Sequence, residues 1–311
     1  MTVANITGIA HAYTLSEALT ALDSDRSLDQ ETLVCVHGWL LSQTYWQPLV
    51  QQLSFRYRCL TYDLSGFGDS SPVGSPSRPH EITLPAYSTL PIDELTPQGT
   101  YRPPSYSLAA YAQRLEALLD HLDIRRTWLL GHSLGGSIAL WAAYLFPERI
   151  KGVVCINAGG GIYIHSEFEK FRSAGAQMVK FRPHWLMQLP LLPYLFSHLM
   201  VRRPLAPEWG KQRVADFVRA DRGAAEGALL QTTTESEVHL LPQVVGQLTQ
   251  PVHFITATND TVMPPRYVHY LASFHPGFSV GEMVTEIEDC GHMAMLEQTE
   301  AVADVVRNVV G

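Results

Sequence analysis

The stretch Thr127-Trp-Leu-Leu-Gly131-His132-Ser133-Leu134-Gly135, continuing as Gly136-Ser-Ile-Ala-Leu-Trp-Ala-Ala143, decides how the rest of the chain is read. An apolar run of strand length leads straight into G-x-S-x-G, and a helical pattern rich in small residues follows it. Glycines on both sides of the serine let a strand and a helix approach without Cβ clashes, so Ser133 stands at a strained strand-to-helix turn. The first N–H groups of that helix point partial positive charge toward the serine. The pentapeptide alone recurs by chance. The strand before it and the helix after it give it meaning.

A serine hydroxyl is a poor nucleophile until a base takes its proton, so a histidine and an orienting carboxylate are sought elsewhere. Working outward, short apolar runs alternate with helical patterns, as βα units around a mainly parallel sheet require. The runs are Thr32–Val36, Arg58–Asp63, Thr127–Gly131, Gly152–Asn157, Val252–Ala257 and Met283–Ile287. Helical spacing is plain over Leu108–Leu122 and Ala301–Val310, and Ile6–Leu15 suits an antiparallel strand or hairpin. Asp260 follows the fifth run and His292 the sixth, so both project from the same sheet edge as Ser133. Asp289 is a nearby rival acid, but it precedes the histidine loop and does not close a strand. For the oxyanion, one donor is the N–H of Leu134. The other comes from the loop after the early strand, His37-Gly38-Trp39, with the N–H of Trp39 the candidate. Trp39 and Leu40 also stand where they can line a substrate pocket.

Composition narrows the partners. The chain has 311 residues, 22 Lys or Arg against 30 Asp or Glu, and a formal charge of −8, with no dense basic run. Phosphate backbones need a basic face, so nucleic acid is not an expected partner. The four cysteines form no CxxC pair, and three lie in strand-like runs, which suits reduced thiols rather than disulfides or zinc. Residues 1–10 have neither a basic nor an apolar export signature, and the expected location is cytoplasmic. Nothing in the sequence sets an oligomeric state.

Two segments break the strand–helix rhythm. Residues 72–104 hold eight prolines and read as a long excursion near the C-terminal edge of the sheet, either passive or facing substrate. Residues 158–245 separate two core strands by far more than an ordinary connection, begin with Gly159-Gly-Gly161, and read as a helical cap. Within it, His184–Val201 is unusually apolar, though Gln188, Pro190, Pro193 and His198 interrupt it too often for a spanning helix. Buried cap packing is the first reading of that run. A lipophilic channel, or a surface leaning on membranes with Arg182, Arg202 and Arg203 at its margins, is the other.

At His37-Gly38-Trp39, Asp63-Leu-Ser-Gly-Phe-Gly-Asp-Ser70, Gly131–Gly135, Asp260 and Gly291-His292 the chain resembles enzymes of the α/β-hydrolase fold. The resemblance implies a mostly parallel eight-stranded sheet flanked by helices, with a helical cap inserted after strand 6. The core is then 1–157 and 246–311, the cap 158–245, and 72–104 an excursion within the core. It also implies Ser133 as nucleophile, His292 as general base and Asp260 as its partner, with no cofactor and no metal. The Asp63–Ser70 turn is structural in that fold, and as a nucleotide fingerprint it fails because Ser71 stands where the third glycine belongs. His37 and His132 fall at positions that shape loops. Haloalkane dehalogenases and epoxide hydrolases of similar build carry an aspartate where Ser133 stands. Leu40 replaces the proline typical of epoxide hydrolases and cofactor-free perhydrolases, and the Gly-Pro-Gly of carbon–carbon hydrolases is missing. A capped hydrolase of hydrophobic carboxylic esters remains, acting on a small molecule. An acyltransferase or thioesterase on lipid-like substrates, a dephytylase-like esterase, and a lyase or receptor on the same scaffold are the alternatives.

Overall fold

Eight strands form one sheet in the order β1-β2-β4-β3-β5-β6-β7-β8. They are β1 (Thr2–Ile6), β2 (Ile9–Ser16), β3 (Thr32–Val36), β4 (Arg58–Tyr62), β5 (Thr127–His132), β6 (Ile150–Ile156), β7 (Val252–Ala257) and β8 (Val284–Ile287). The computed structural model describes residues 1–18, 31–74, 79–85, 96, 100–161, 165–278 and 282–311. β1 and β2 make the hairpin expected between Ile6 and Leu15, and β2 runs antiparallel to β4. Every other pairing is parallel. All residues of β3 and β5 are buried, which fits their nearly continuous apolar sequences: a parallel strand is covered on both faces.

Helices supply the covers. On one face α1 (Gln47–Leu53) packs against α11 (Thr299–Val310), enclosing Tyr45, Trp46, Leu49, Val302 and Val306. On the other, α2 (Leu108–His121) packs on α3 (Leu134–Leu145), and α3 on α8 (Glu235–Val245), which also touches α9 (Pro265–Ala272). This is the alpha/beta-hydrolase architecture that the sequence implies. Chain order reverses at β3, which lies between β4 and β5, so a crevice opens beyond the ends of β3 and β5.

Among the described residues, five α-helices lie between β6 and β7: α4 (His165–Lys180), α5 (Leu192–His198), α6 (Pro207–Arg219), α7 (Arg222–Thr232) and α8. α4 packs on α7 and α5 on α6, whereas α8 packs with the sheet's own helices. Two side-chain bonds fasten this insertion to the loop after β3. Trp39 Nε1 donates to the Ala225 carbonyl at 2.9 Å, and Ser42 Oγ donates to Asp216 at 3.0 Å. Much of the proline-rich excursion lies outside the described residues. Within it, Ile82 and Tyr101 pair as an isolated antiparallel bridge, and both are buried in the core.

The apolar run 184–201 differs from its first reading. It forms a 3-10 turn (His184–Gln188) and then α5, and Trp185, Leu189, Leu191, Tyr194 and Leu195 are exposed rather than buried. The physical reason is length. Two short pieces separated at Pro190 turn only part of their surface inward, onto α6, where Phe196 of α5 meets Phe217.

Candidate active site

Ser133 caps α3 with φ 52° and ψ −120°, a left-handed conformation that costs free energy in a residue with a side chain. Tight packing enforces the turn. A Cβ on Gly135 would run into the Val36 carbonyl oxygen, and one on Gly131 into the carbonyl of Gly135. Ser133 N–H is tied to the Ile156 carbonyl at 3.0 Å, so the serine is held from β6 as well.

The end of β7 brings in Asp260, and the loop after β8 brings in His292. His292 Nδ1 donates to Asp260 Oδ2 at 2.8 Å, which leaves Nε2 to face Ser133 Oγ at 3.1 Å. The proton is assigned to Nδ1 because a carboxylate can only accept. The other Asp260 oxygen accepts N–H bonds from Val262 and Met263, at 2.8 and 2.9 Å. Burial alone would raise this carboxyl, but His292 and these donors outweigh it and hold Asp260 below its usual range. The rival, Asp289, is exposed and paired with Arg202 and Arg203.

Both oxyanion candidates border the serine. Leu134 is the first residue of α3, so its N–H has no partner within the helix. Gly38 packs so closely that an added Cβ would meet Ser133 Cβ at 3.2 Å, which sets Trp39 beside Ser133. Leu40 takes φ 57° and lines the same crevice. His37 and His132, read in the sequence as loop-shaping, both bond to backbone groups. His37 Nδ1 donates to the Gly38 carbonyl and Nε2 accepts the Leu64 N–H. His132 Nε2 donates to the His292 carbonyl at 2.8 Å, and burial, helped by the nearby His292, lowers its pKa to about 3.

Two residues went unnoticed in the sequence. Asn157, at φ 50° just past β6, donates from Nδ2 to Asp260 Oδ2 at 2.9 Å and to the Gly291 carbonyl at 3.3 Å. A lone asparagine closing an apolar strand is the only trace it leaves. Glu297, in α10 (Ala294–Glu297), accepts the N–H groups of Gly291 and Met293 on either side of His292. It also accepts those of Arg202 and Arg203.

Two cavities meet at Ser133 and share Trp39, Phe171 and Val262. The larger, about 290 Å³, runs under α4 and α5 past Met178, Phe196 and Met200. The smaller, about 100 Å³, runs toward Ala228, Leu229 and Met263. Both walls are largely apolar. Among the described residues, no group of three or more His, Cys, Asp or Glu is placed to hold a metal ion. The four cysteines are buried and unpaired, and burial pushes their thiols up, those of Cys59 and Cys290 to about 12. None of them is an activated nucleophile.

A strained serine, a histidine bridging it to a buried aspartate, and an open crevice at the switch point define the class: an alpha/beta-hydrolase-fold protein. The family model described as alpha/beta hydrolase fold matches residues 31–299, and the chain belongs to that family. It is 27% identical over 248 residues to a pimeloyl-[acyl-carrier protein] methyl ester esterase of Aliivibrio salmonicida, covering 78% of this chain and 80% of that protein. Among solved structures it is similar to an esterase from Exiguobacterium antarcticum, with a TM-score of 0.73 and 15% identity over 100% of this chain and 99% of that one. An enol-lactonase from Burkholderia xenovorans gives a TM-score of 0.69 at 19% identity, covering 99% of each chain.

Proposed function

We propose that the protein is a serine hydrolase that cleaves carboxylic esters with a hydrophobic acyl or alcohol part. The observation that carries the reading is the hydrogen-bonded line Asp260–His292–Ser133 on the floor of two apolar cavities. Ser133 Oγ attacks the ester carbonyl while His292 Nε2 takes its proton. The N–H groups of Trp39 and Leu134 receive the negative charge that develops on the carbonyl oxygen. His292 then hands the proton to the leaving alcohol as the C–O bond breaks. Water, deprotonated by the same nitrogen, attacks the acyl-enzyme, and His292 returns that proton to Ser133 Oγ as the acyl–Oγ bond breaks and the acid leaves. Asp260 keeps Nδ1 protonated and stabilises the imidazolium in each half-reaction.

Several features support the finer points. Helices α4–α7 act as a cap whose apolar faces close over the ester, with Leu40 and Trp39 as pocket walls. Four reduced thiols suit a cytoplasmic location. The ester-cleaving relative lends weight to the reaction class.

Hydrolysis of p-nitrophenyl esters from acetyl to octanoyl, with Ser133→Ala in parallel, tests the proposal. Sustained turnover that vanishes in the variant is expected, with kcat/KM rising toward the longer chains. Equal rates in variant and wild type would remove Ser133 from the chemistry. A single burst followed by silence would assign the acyl group to an acceptor other than water.

A further inference from the structure

Residues 181–200 hold most of the large apolar side chains that are exposed among the described residues, with a smaller group at Tyr270, Phe274 and Phe278. Phe181 is 68% exposed, Trp185 51%, Leu191 77%, Tyr194 67% and Leu195 57%, all within one 3-10 turn, α5 and their flanks. Apolar patches of this kind mark interaction sites. The face is also electrically distinct. From residue 180 to 203 the sequence has four cations (Lys180, Arg182, Arg202 and Arg203) and no Asp or Glu, in a chain whose formal charge is −8. Asp289 pairs with Arg202 and Arg203 and Glu297 accepts their backbone N–H groups, so these two carboxylates balance that end, and Lys180 and Arg182 carry the net positive charge beside the face. Lys180 is exposed, and Arg182 donates to the carbonyls of Val179 and Phe217.

We propose that this face docks onto the surface of an anionic lipid bilayer. No helix among the described residues is long and apolar enough to cross a membrane, so the segment lies in the interface rather than through it. Trp185 and Tyr194 are the side chains that settle at headgroup depth, and the flanking cations meet the negative lipid charge. A second copy of the chain fits less well. A two-fold contact through this patch would bring the same cations against one another. The face is continuous with the cleft, because Leu199 and Met200, each 37% exposed, also line the larger cavity. An ester dissolved in the bilayer would then reach Ser133 without crossing water. That last step rests on the proposed hydrolysis; docking itself does not.

The test is co-sedimentation of the full chain with phosphatidylcholine vesicles, with and without phosphatidylglycerol. It is run on wild type, on Ser133→Ala and on the double variant Leu191→Asp/Leu195→Asp. Both leucines lie outside the two cavities, so the double variant should keep its melting temperature and its rate on a soluble acetyl ester. Wild type and Ser133→Ala should bind the anionic vesicles equally, which separates docking from chemistry. The double variant should partition on the order of 100-fold more weakly. Trp185→Ser, a milder change, should weaken binding without touching the fold. Wild type that stays in the supernatant with anionic vesicles would overturn the proposal, as would a double variant that binds like wild type. Equal binding to neutral vesicles would overturn its electrostatic half. A dimer that the double variant dissociates, in a protein that ignores vesicles, would give the face to a second copy instead.

Discussion

The two walls of the cleft are built by opposite means. On the sheet wall every functional group is held by hydrogen bonds and forced backbone: Leu40, Ser133 and Asn157 all sit at φ between 50° and 57°. Both oxygens of Asp260 are fully engaged there. The helical wall is apolar side chains from α4–α7, fastened to the loop after β3 by the bonds from Trp39 and Ser42. The difference separates the two tasks that the proposed function sets. Chemistry needs groups preorganised to a fraction of an ångström, whereas selecting a hydrophobic substrate needs volume and shape that can be altered without disturbing the reacting atoms.

The largest expected effect comes from striking the sheet wall at its centre. His292→Ala should cost about 10⁴-fold or more in kcat, and Asp260→Asn less than Ser133→Ala, since members of such a line act as a unit. Phe171→Ala, on the helical wall, should leave kcat on short esters within about threefold while flattening the preference for long ones. Equal losses from the two walls in steady-state kinetics would break the comparison. Next comes Gly135→Ala. Its methyl would collide with the Val36 carbonyl, which the backbone cannot easily yield, so a loss of about 3 kcal/mol is expected in denaturant unfolding. Asn157→Ala should be milder, lowering kcat by about tenfold with KM little changed, because it frees Asp260 to shift without removing it. An unchanged kcat would show that the two backbone N–H donors alone suffice to hold that carboxylate.

The smallest effect is in pH, and it has opposite signs at His132 beside the cleft and at Asp216, which lies outside it. His132, with its folded pKa lowered to about 3, binds its proton more readily in the unfolded chain. Its contribution to stability is present above the ordinary histidine range and fades as pH falls toward 3. Asp216, on α6, is raised to about 6, chiefly by burial. Its protonated form favours the fold, so its contribution is present below the ordinary carboxylate range and is lost as pH rises through 6. Asp216→Asn should therefore gain in melting temperature relative to wild type between pH 4 and 7. A difference that shrinks over that interval would contradict the assignment.

How much of this was legible in the sequence follows the same division. Strands announced themselves as apolar runs, and polar residues at their ends (Ser133, Asp260, His292) stood out against them. Asn157 did not, because it reads as the last residue of a run and carries no periodicity. Glu297 was hidden for another reason: its partners are backbone N–H groups, which leave no mark on side-chain chemistry. The stretch 184–201 left two readings open, buried packing or an exposed apolar surface, because an apolar run states only its chemistry. It does not state what covers it.

Met200 sits midway through the helical insertion, at φ 59°, and its carbonyl accepts the His292 N–H at 2.8 Å. Gly291 leaves no room for a Cβ against Val201 and Arg202, and Glu297 binds the next two N–H groups. The insertion is therefore stitched to the histidine loop at its midpoint, not only at its two ends. It cannot swing away as one hood. Because α5 and α6 also pack on each other across that seam, the segments before residue 200 and after 203 are held as one body, and a transplanted insertion should carry the histidine loop with it.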